Sequence, residues 1–221
     1  LTLLGAKVVG LSINIPSKPS HFKAIKLQNK IINKRIDIRN LKLLKKTFKK
    51  HQPDYVFHLA AQTLVKESYS NPIYTWQTNI IGTLNVLESL REVKKKCIAV
   101  LITSDKSYKN LETKRGYNEN DILGGKDPYS ASKASADLAI QSYVSSFFPL
   151  EKTKVLIGIA RAGNVIGGGD WSKNRIIPDC VKSWSKNEKV LIRNPKSTRP
   201  WQHVLEVVFG YLLLSLNLKK N

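Results

Sequence analysis

The chain has 221 residues and a mass of 24.9 kDa, with 42 % hydrophobic and 24 % charged residues, a balance that excludes wholesale disorder and suffices for a sizeable core. Lysine and arginine outnumber aspartate and glutamate 37 to 16, giving a formal charge of +21, which admits nucleic acid or an anionic small molecule as partner. No apolar run nears the roughly 20 residues of a membrane helix, the first residues do not combine a basic start, an apolar centre and a small-residue cleavage site, and Cys97 and Cys180 read as neither a disulfide framework nor a metal cluster.

In chain order, residues 1–4 read as a helix end stopped by Gly5, and 8–13 as a short β-branched strand. Pro16 and Pro19 interrupt the chain, residues 21–30 are ambiguous, and 31–36 read as a second strand ending at Asp37. Leu41, Leu44 and Phe48 have helical spacing within 41–51, with lysines opposite. Strand 55–59 follows, then a long helix over 73–93 opened by Asn71-Pro72. Strand 98–103 is apolar without alternation, as expected when both sheet faces are covered. A polar loop spans 111–125, a second long helix 128–148, a buried-type strand 155–160 and a Gly-rich loop 163–170. Helices at 176–185 and 203–218 flank a short strand at 190–193. Strands alternating with helices predict a doubly wound, parallel Rossmann-type α/β sheet. Its ligands belong at the carboxyl ends of the strands, which directs attention to Asp37, residues 60–62, 103–106 and 161–164.

Tyr129 and Lys133 stand four apart on the predicted helix 128–148 and so share a face. An ammonium one turn from a phenol favours the phenolate, which can then remove a proton from a sugar hydroxyl near neutral pH. Strand 98–103 delivers Thr103-Ser104-Asp105-Lys106 to the same edge. There Ser104 can hydrogen-bond a substrate hydroxyl, Asp105 can act as an acid if burial raises its pKa, and Lys106 as a base if burial and Lys133 lower its own.

These residues, with His58-Leu-Ala-Ala-Gln62, resemble the extended short-chain dehydrogenase/reductase (NAD-dependent epimerase/dehydratase) family. Thr103–Tyr108, the string Arg161-Ala-Gly-Asn-Val-Ile-Gly-Gly-Gly-Asp-Trp171, Arg175-Ile-Ile-Pro178, Ile192–Pro195 and Arg199-Pro-Trp-Gln-His-Val204 resemble its CDP-glucose 4,6-dehydratase branch. The resemblance covers about 1–216. It implies conversion of CDP-glucose to CDP-4-keto-6-deoxyglucose with a bound NAD that is regenerated each cycle. It also implies deoxysugar biosynthesis for cell-surface polysaccharide, a cytoplasmic setting, no metal, and a homo-oligomer (dimer or tetramer) paired through helices 73–93 and 128–148.

Residue by residue, the resemblance makes Tyr129 the acceptor of the 4-hydroxyl proton. Lys133 lowers the tyrosine pKa and holds the nicotinamide ribose, Ser104 bonds the 4-oxygen, and Asp105 protonates the departing 6-hydroxyl. Lys106 stands where the related dTDP-glucose enzymes place a glutamate base. Asp37 and Ile38 match the adenine contact. Ala60, Ala61, Gln62, Asn79 and Thr103 match the stretch around the cofactor, with Asn79 supporting local geometry. Asn164, Arg175, Arg193, Arg199 and His203 match the nucleotide-sugar pocket, where arginines suit a diphosphate.

The family's Gly-x-x-Gly-x-x-Gly turn and its first, central strand have no counterpart in 1–221, which also contains no methionine, so a fragment or processed chain is expected. The reading divides it at 1–162, a truncated cofactor-binding domain, and 163–221, the start of a smaller substrate-binding lobe. Asn14 stands after the first strand, where NAD enzymes commonly place an acid. Other readings are an epimerase or reductase of the same superfamily, an inactive fragment, a basic nucleic-acid-binding protein and a non-catalytic scaffold. The clustered Lys45, Lys46, Lys49 and Lys50 read as an ordinary solvated helix face with no aromatic platform of the kind nucleic-acid binding favours, and no nucleic-acid or membrane partner is expected.

Overall fold

A computed structural model describes residues 1–220. The chain forms two compact units, and their membership departs from the predicted division. Residues 1–37 group with 164–204, and residues 38–163 group with the C-terminal helix. One division between the units falls at Gly163–Asn164, one residue beyond the expected 162/163, and the two ends of the chain group differently from that expectation.

In the first unit, β1 (Val9–Ser12) pairs in parallel with β2 (Ile32–Arg35). Ser20 caps the short α1 (His21–Ala24) by accepting the Lys23 amide. Strand β6 (Asn164–Ile166) rises inside the predicted Gly-rich loop and pairs in parallel with β7 (Trp201–His203). The strand predicted at 190–193 is absent: those residues lie between Lys189 and Pro195, largely exposed and without a neighbouring ladder. Helix α7 (Ile176–Trp184) turns Pro178 and Cys180 inward. Gly169 is left-handed at φ 84°, and a Cβ there would lie 2.5 Å from the His21 ring, so only glycine fits the turn.

In the second unit, β3 (Tyr55–His58), β4 (Cys97–Ile102) and β5 (Val155–Ala160) form a parallel sheet in the order β3-β4-β5. β4 is the centre of the core, with Cys97, Ala99, Val100 and Leu101 fully buried. Helix α2 (Leu41–His51) is capped by Asn40 and buries Leu44 and Phe48. It packs on α5 (Gly82–Leu90), whose Leu87 and Leu90 are fully buried. The long helix predicted at 73–93 is α4 (Pro72–Trp76), one π-turn (Gln77–Ile81) and α5 in sequence, preceded by α3 (Val65–Ser70). Helix α6 (Pro128–Phe147) matches its prediction to one residue, and α8 (Val204–Lys220) lies against β5, where a Cβ on Gly158 would meet Leu218 and Leu214.

The parallel strands and covering helices define a Rossmann-type α/β fold. The single sheet expected is three separate ladders, β1-β2, β3-β4-β5 and β6-β7. In the doubly wound order 3-2-1-4-5 only the first strand joins the second to the fourth. The described residues supply counterparts of the second, third and fourth strands and none of the first.

Candidate active site

β4 is apolar to its last residue and then changes character. Thr103 and Ser104 remain buried, and a 3-10 turn, Asp105–Ser107, begins at once. Ser104 shapes that turn: its Oγ accepts the Lys106 amide at 3.2 Å and donates to Asp105 Oδ1 at 3.0 Å. The Asp105 amide bonds the Ala162 carbonyl, tying the turn to the end of β5.

Helix α6 starts beside it for local reasons. Asp127 caps the helix through the Ser130 amide and hydroxyl, and Pro128 occupies the first turn. Gly125 permits this start, because a Cβ there would lie 2.3 Å from the Ala131 nitrogen. Tyr129 and Lys133 are both buried, and the Lys133 ammonium donates to the Ile102 carbonyl at the tip of β4, 3.0 Å away. Burial lowers the Lys133 pKa to about 8, against an opposing pull from Asp137. Lys106 Nζ lies 5.9 Å from the centroid of the Tyr129 ring. Ser104, Asp105, Lys106, Tyr129 and Lys133 therefore converge at one strand end.

Asn79 sits in the π-turn. Its Oδ1 accepts the Gln62 amide, while its Nδ2 donates to the Gln62 carbonyl and to Ser132 Oγ, which donates on to the Tyr129 carbonyl. The Gln62 side chain bonds Leu64 in its own loop and donates to the Thr75 hydroxyl on α4. Asn79 and Gln62 thus brace the loop after β3 against the helix that carries Tyr129. The π-turn leaves the Asn79 carbonyl to the Thr83 hydroxyl, so His58 Nε2, 3.0 Å from that oxygen, is assigned the proton. Burial, aided by the Lys133 charge, lowers the His58 pKa to about 3.

Asp137 is not singled out in the sequence, and Arg161 only as the first residue after strand 155–160, without a role. Asp137 is fully buried, accepts Arg161 Nε and Nη2 at 2.7 and 2.8 Å, and accepts Thr103 Oγ1 and Gln141 Nε2. Desolvation pushes the Asp137 pKa up, but the bonds from Arg161, Gln141 and Thr103 outweigh it and the net shift is down. Arg161 also reaches the Tyr108 hydroxyl and lies over its ring, which stacks on Tyr117 at the base of the polar loop. An aspartate four residues after Lys133 and an arginine directly after β5 were the available signal.

The donor set suits a nicotinamide ribose. Among the described residues Lys133 spends one of its three N–H donors on the protein, leaving two for a diol. Ala60 is exposed at the end of β3 and Ala61 half-buried, a small-residue floor beside the buried Gln62. Ile38 is buried and Asp37 half-buried, the latter belonging to the first unit. Asn164, Arg175, Arg193, Arg199 and His203 also lie in the first unit. There the Asn164 amide bonds the Pro200 carbonyl, Arg175 pairs with Asp170, Arg193 reaches the Asn174 carbonyl, Arg199 reaches the Thr198 carbonyl, and His203 ends β7.

A parallel α/β fold with a Tyr-x-x-x-Lys helix fastened to its central strand end defines a Rossmann-type protein of the dehydratase/epimerase superfamily. More particularly, the chain belongs to the GDP-mannose 4,6-dehydratase family, whose sequence pattern matches residues 5–220. It is 45% identical over 99% of its length to a CDP-glucose 4,6-dehydratase of Salmonella typhimurium, of which it spans 62%. A UDP-glucose 4-epimerase structure from Thermotoga maritima, with UDP-glucose, superposes with a TM-score of 0.83 at 22% identity, over 96% of this chain and 66% of that one. A dTDP-glucose 4,6-dehydratase double mutant from Streptomyces venezuelae, solved with NAD bound, gives 0.80 at 21% identity over 95% and 62%. The likeness to both structures is one of fold. No described helix is long and apolar enough to cross a membrane.

Proposed function

We propose that the protein is a nucleotide-sugar 4,6-dehydratase acting on CDP-glucose and yielding the 4-keto-6-deoxy sugar. The observation that carries the reading is the convergence of Ser104, Asp105 and Lys106 after β4 with Tyr129 and Lys133 on α6. The 45% identity to the Salmonella enzyme supports CDP-glucose as the substrate.

NAD, when bound, supplies the hydride acceptor for oxidation at C4 and the donor for reduction at C6. Tyr129 takes the proton of the 4-hydroxyl, and Lys133 stabilises its phenolate and holds the ribose. Ser104 donates to the 4-oxygen. Asp105 gives its proton to the departing 6-hydroxyl, so that oxygen leaves as water, and Lys106 takes the C5 proton. Asn79 and Gln62 set the loop against which the cofactor lies, with Thr103, Ala60 and Ala61 beside them. Asp37 and Ile38 meet the adenine. Asn164, Arg175, Arg193, Arg199 and His203 face the nucleotide-sugar. An epimerase needs no acid for a C6 oxygen, which Asp105 would supply here. The protein works as a homo-oligomer in the cytoplasm; exposed Ile73, Ile81 and Leu138 on the two long helices support self-association.

The test is turnover of CDP-glucose by the whole protein and by Tyr129→Phe. Loss of the proton acceptor should cost roughly 10²- to 10⁴-fold in kcat with the fold intact by circular dichroism. Unchanged turnover would overturn the assignment.

A further inference from the structure

Thr103–Tyr108 carries the end of β4 through the 3-10 turn, and one buried carboxylate holds both ends of that run. At its start Thr103 Oγ1 donates to Asp137 Oδ2 at 2.9 Å. At its finish the Tyr108 hydroxyl accepts Arg161 Nη1 at 3.0 Å, while Nε and Nη2 of the same guanidinium bond Asp137. The guanidinium also lies 5.0 Å from the centroid of the Tyr108 ring, whose own partner is Tyr117, stacked at 5.3 Å. The returning loop runs alongside: the Lys109 amide bonds the Ile122 carbonyl and the Gly124 amide the Ser107 carbonyl. Asp105 and Lys106 lie between the two anchors. Tyr129 and Lys133 have other supports, the first through Ser132 and Asn79, the second through the Ile102 carbonyl.

We propose that Tyr108 and Arg161, anchored on Asp137, are positioning residues for the elimination half of the reaction: they hold the turn that presents Asp105 and Lys106. The inference rests on the reading above, in which Lys106 takes the C5 proton and Asp105 protonates the departing 6-hydroxyl. Those two groups are neighbours in a turn of three residues, so a shift of the turn displaces both. The turn has few bonds of its own: the Ser107 amide to the Ser104 carbonyl, the Tyr108 amide to the Asp105 carbonyl, and the two made by Ser104 Oγ. A planar guanidinium can bond a carboxylate twice and still reach a third group, which makes it a stiff link from Asp137 to Tyr108. Because Tyr129 and Lys133 do not depend on that link, loosening it should slow loss of water while oxidation at C4 continues.

The test is a quenched time course of the whole protein with CDP-glucose. Mass spectrometry separates sugar oxidised at C4 from sugar that has also lost water. Asp105→Asn, which removes the acid itself, sets the pattern of a failed elimination. Tyr108→Phe deletes only the hydroxyl that meets Arg161 and keeps the ring on Tyr117. It should slow formation of the dehydrated product about tenfold or more without raising KM, and the oxidised, undehydrated sugar should build up. Arg161→Lys keeps a cation beside Asp137 but cannot bond the carboxylate twice and Tyr108 as well, so it should give the same split of products. A Tyr108→Phe protein that matches the unsubstituted one in both steps overturns the inference. So does loss of product without build-up of oxidised sugar, the pattern that loss of folded protein alone would give. Dehydration that survives Asp105→Asn overturns the reading of the reaction, and the inference falls with it.

Discussion

Lys133 lies under the tip of β4, where desolvation holds its pKa near 8. The unfolded lysine titrates near 10.5, so below pH 8 the fold carries the full cost of a buried ammonium. Between pH 8 and 10.5 the unfolded chain binds more protons, and the stability of the native protein relative to Lys133→Met should rise across that window in urea titrations. Turnover should run the other way, falling above about pH 8 as the ammonium that supports the Tyr129 phenolate is lost. His58 has the same sign at lower pH. It stays neutral in the fold down to about pH 3 but protonates near 6.5 when unfolded, so its contribution is lost as pH falls from 6.5 toward 3. His58→Gln should flatten that part of the stability profile.

Helix α6 is fastened at successive turns: Tyr129 through Ser132 and Asn79, Lys133 to Ile102, and Asp137 to Thr103 and Arg161. Removing one partner of a buried, bidentate ion pair leaves an uncompensated charge, so Arg161→Leu should destabilise by about 3–5 kcal/mol, with Asp137→Leu restoring part of the loss in the double variant. Gly125→Ala should cost on the order of 1–3 kcal/mol and displace the start of α6, because the contact it would make is with backbone rather than with a yielding side chain. Thermal denaturation checks both. The helices α2 and α6 were legible because caps, apolar spacing and proline agree at their ends. The π-turn was not: Gln77–Ile81 has ordinary helix residues, and the extra residue is stabilised by tertiary bonds from Asn79. Residues 190–193 had strand composition but no ladder to join, whereas Trp201–His203 became a strand because Asn164–Ile166 lies alongside. Ser104, Tyr129 and Lys133 could be read from spacing; the Asp137–Arg161 pair depends on the meeting of α6 with the end of β5, which spacing does not encode.

At the scale of the molecule, local order and partner-dependent order separate. β4 buries five of its six residues, whereas among the described residues β1-β2 and β6-β7 are two-stranded ladders of three or four residues that pair with no further strand. Ile73 is 66 % and Leu138 54 % exposed, more apolar surface than a solvent-facing helix needs. If these helices pair between copies, Leu138→Lys should convert the oligomer to a monomer in light scattering while leaving the circular dichroism spectrum unchanged. Dehydration without external reductant is the central property proposed for the protein. The measurement that tests it most directly is incubation of the whole protein with CDP-glucose, and separately with dTDP- and GDP-sugars, followed by mass spectrometry of the nucleotide sugar. Loss of one water from CDP-glucose, and from it far faster than from the others, is the predicted result. A folded, cofactor-loaded protein that leaves the mass of CDP-glucose unchanged would contradict it.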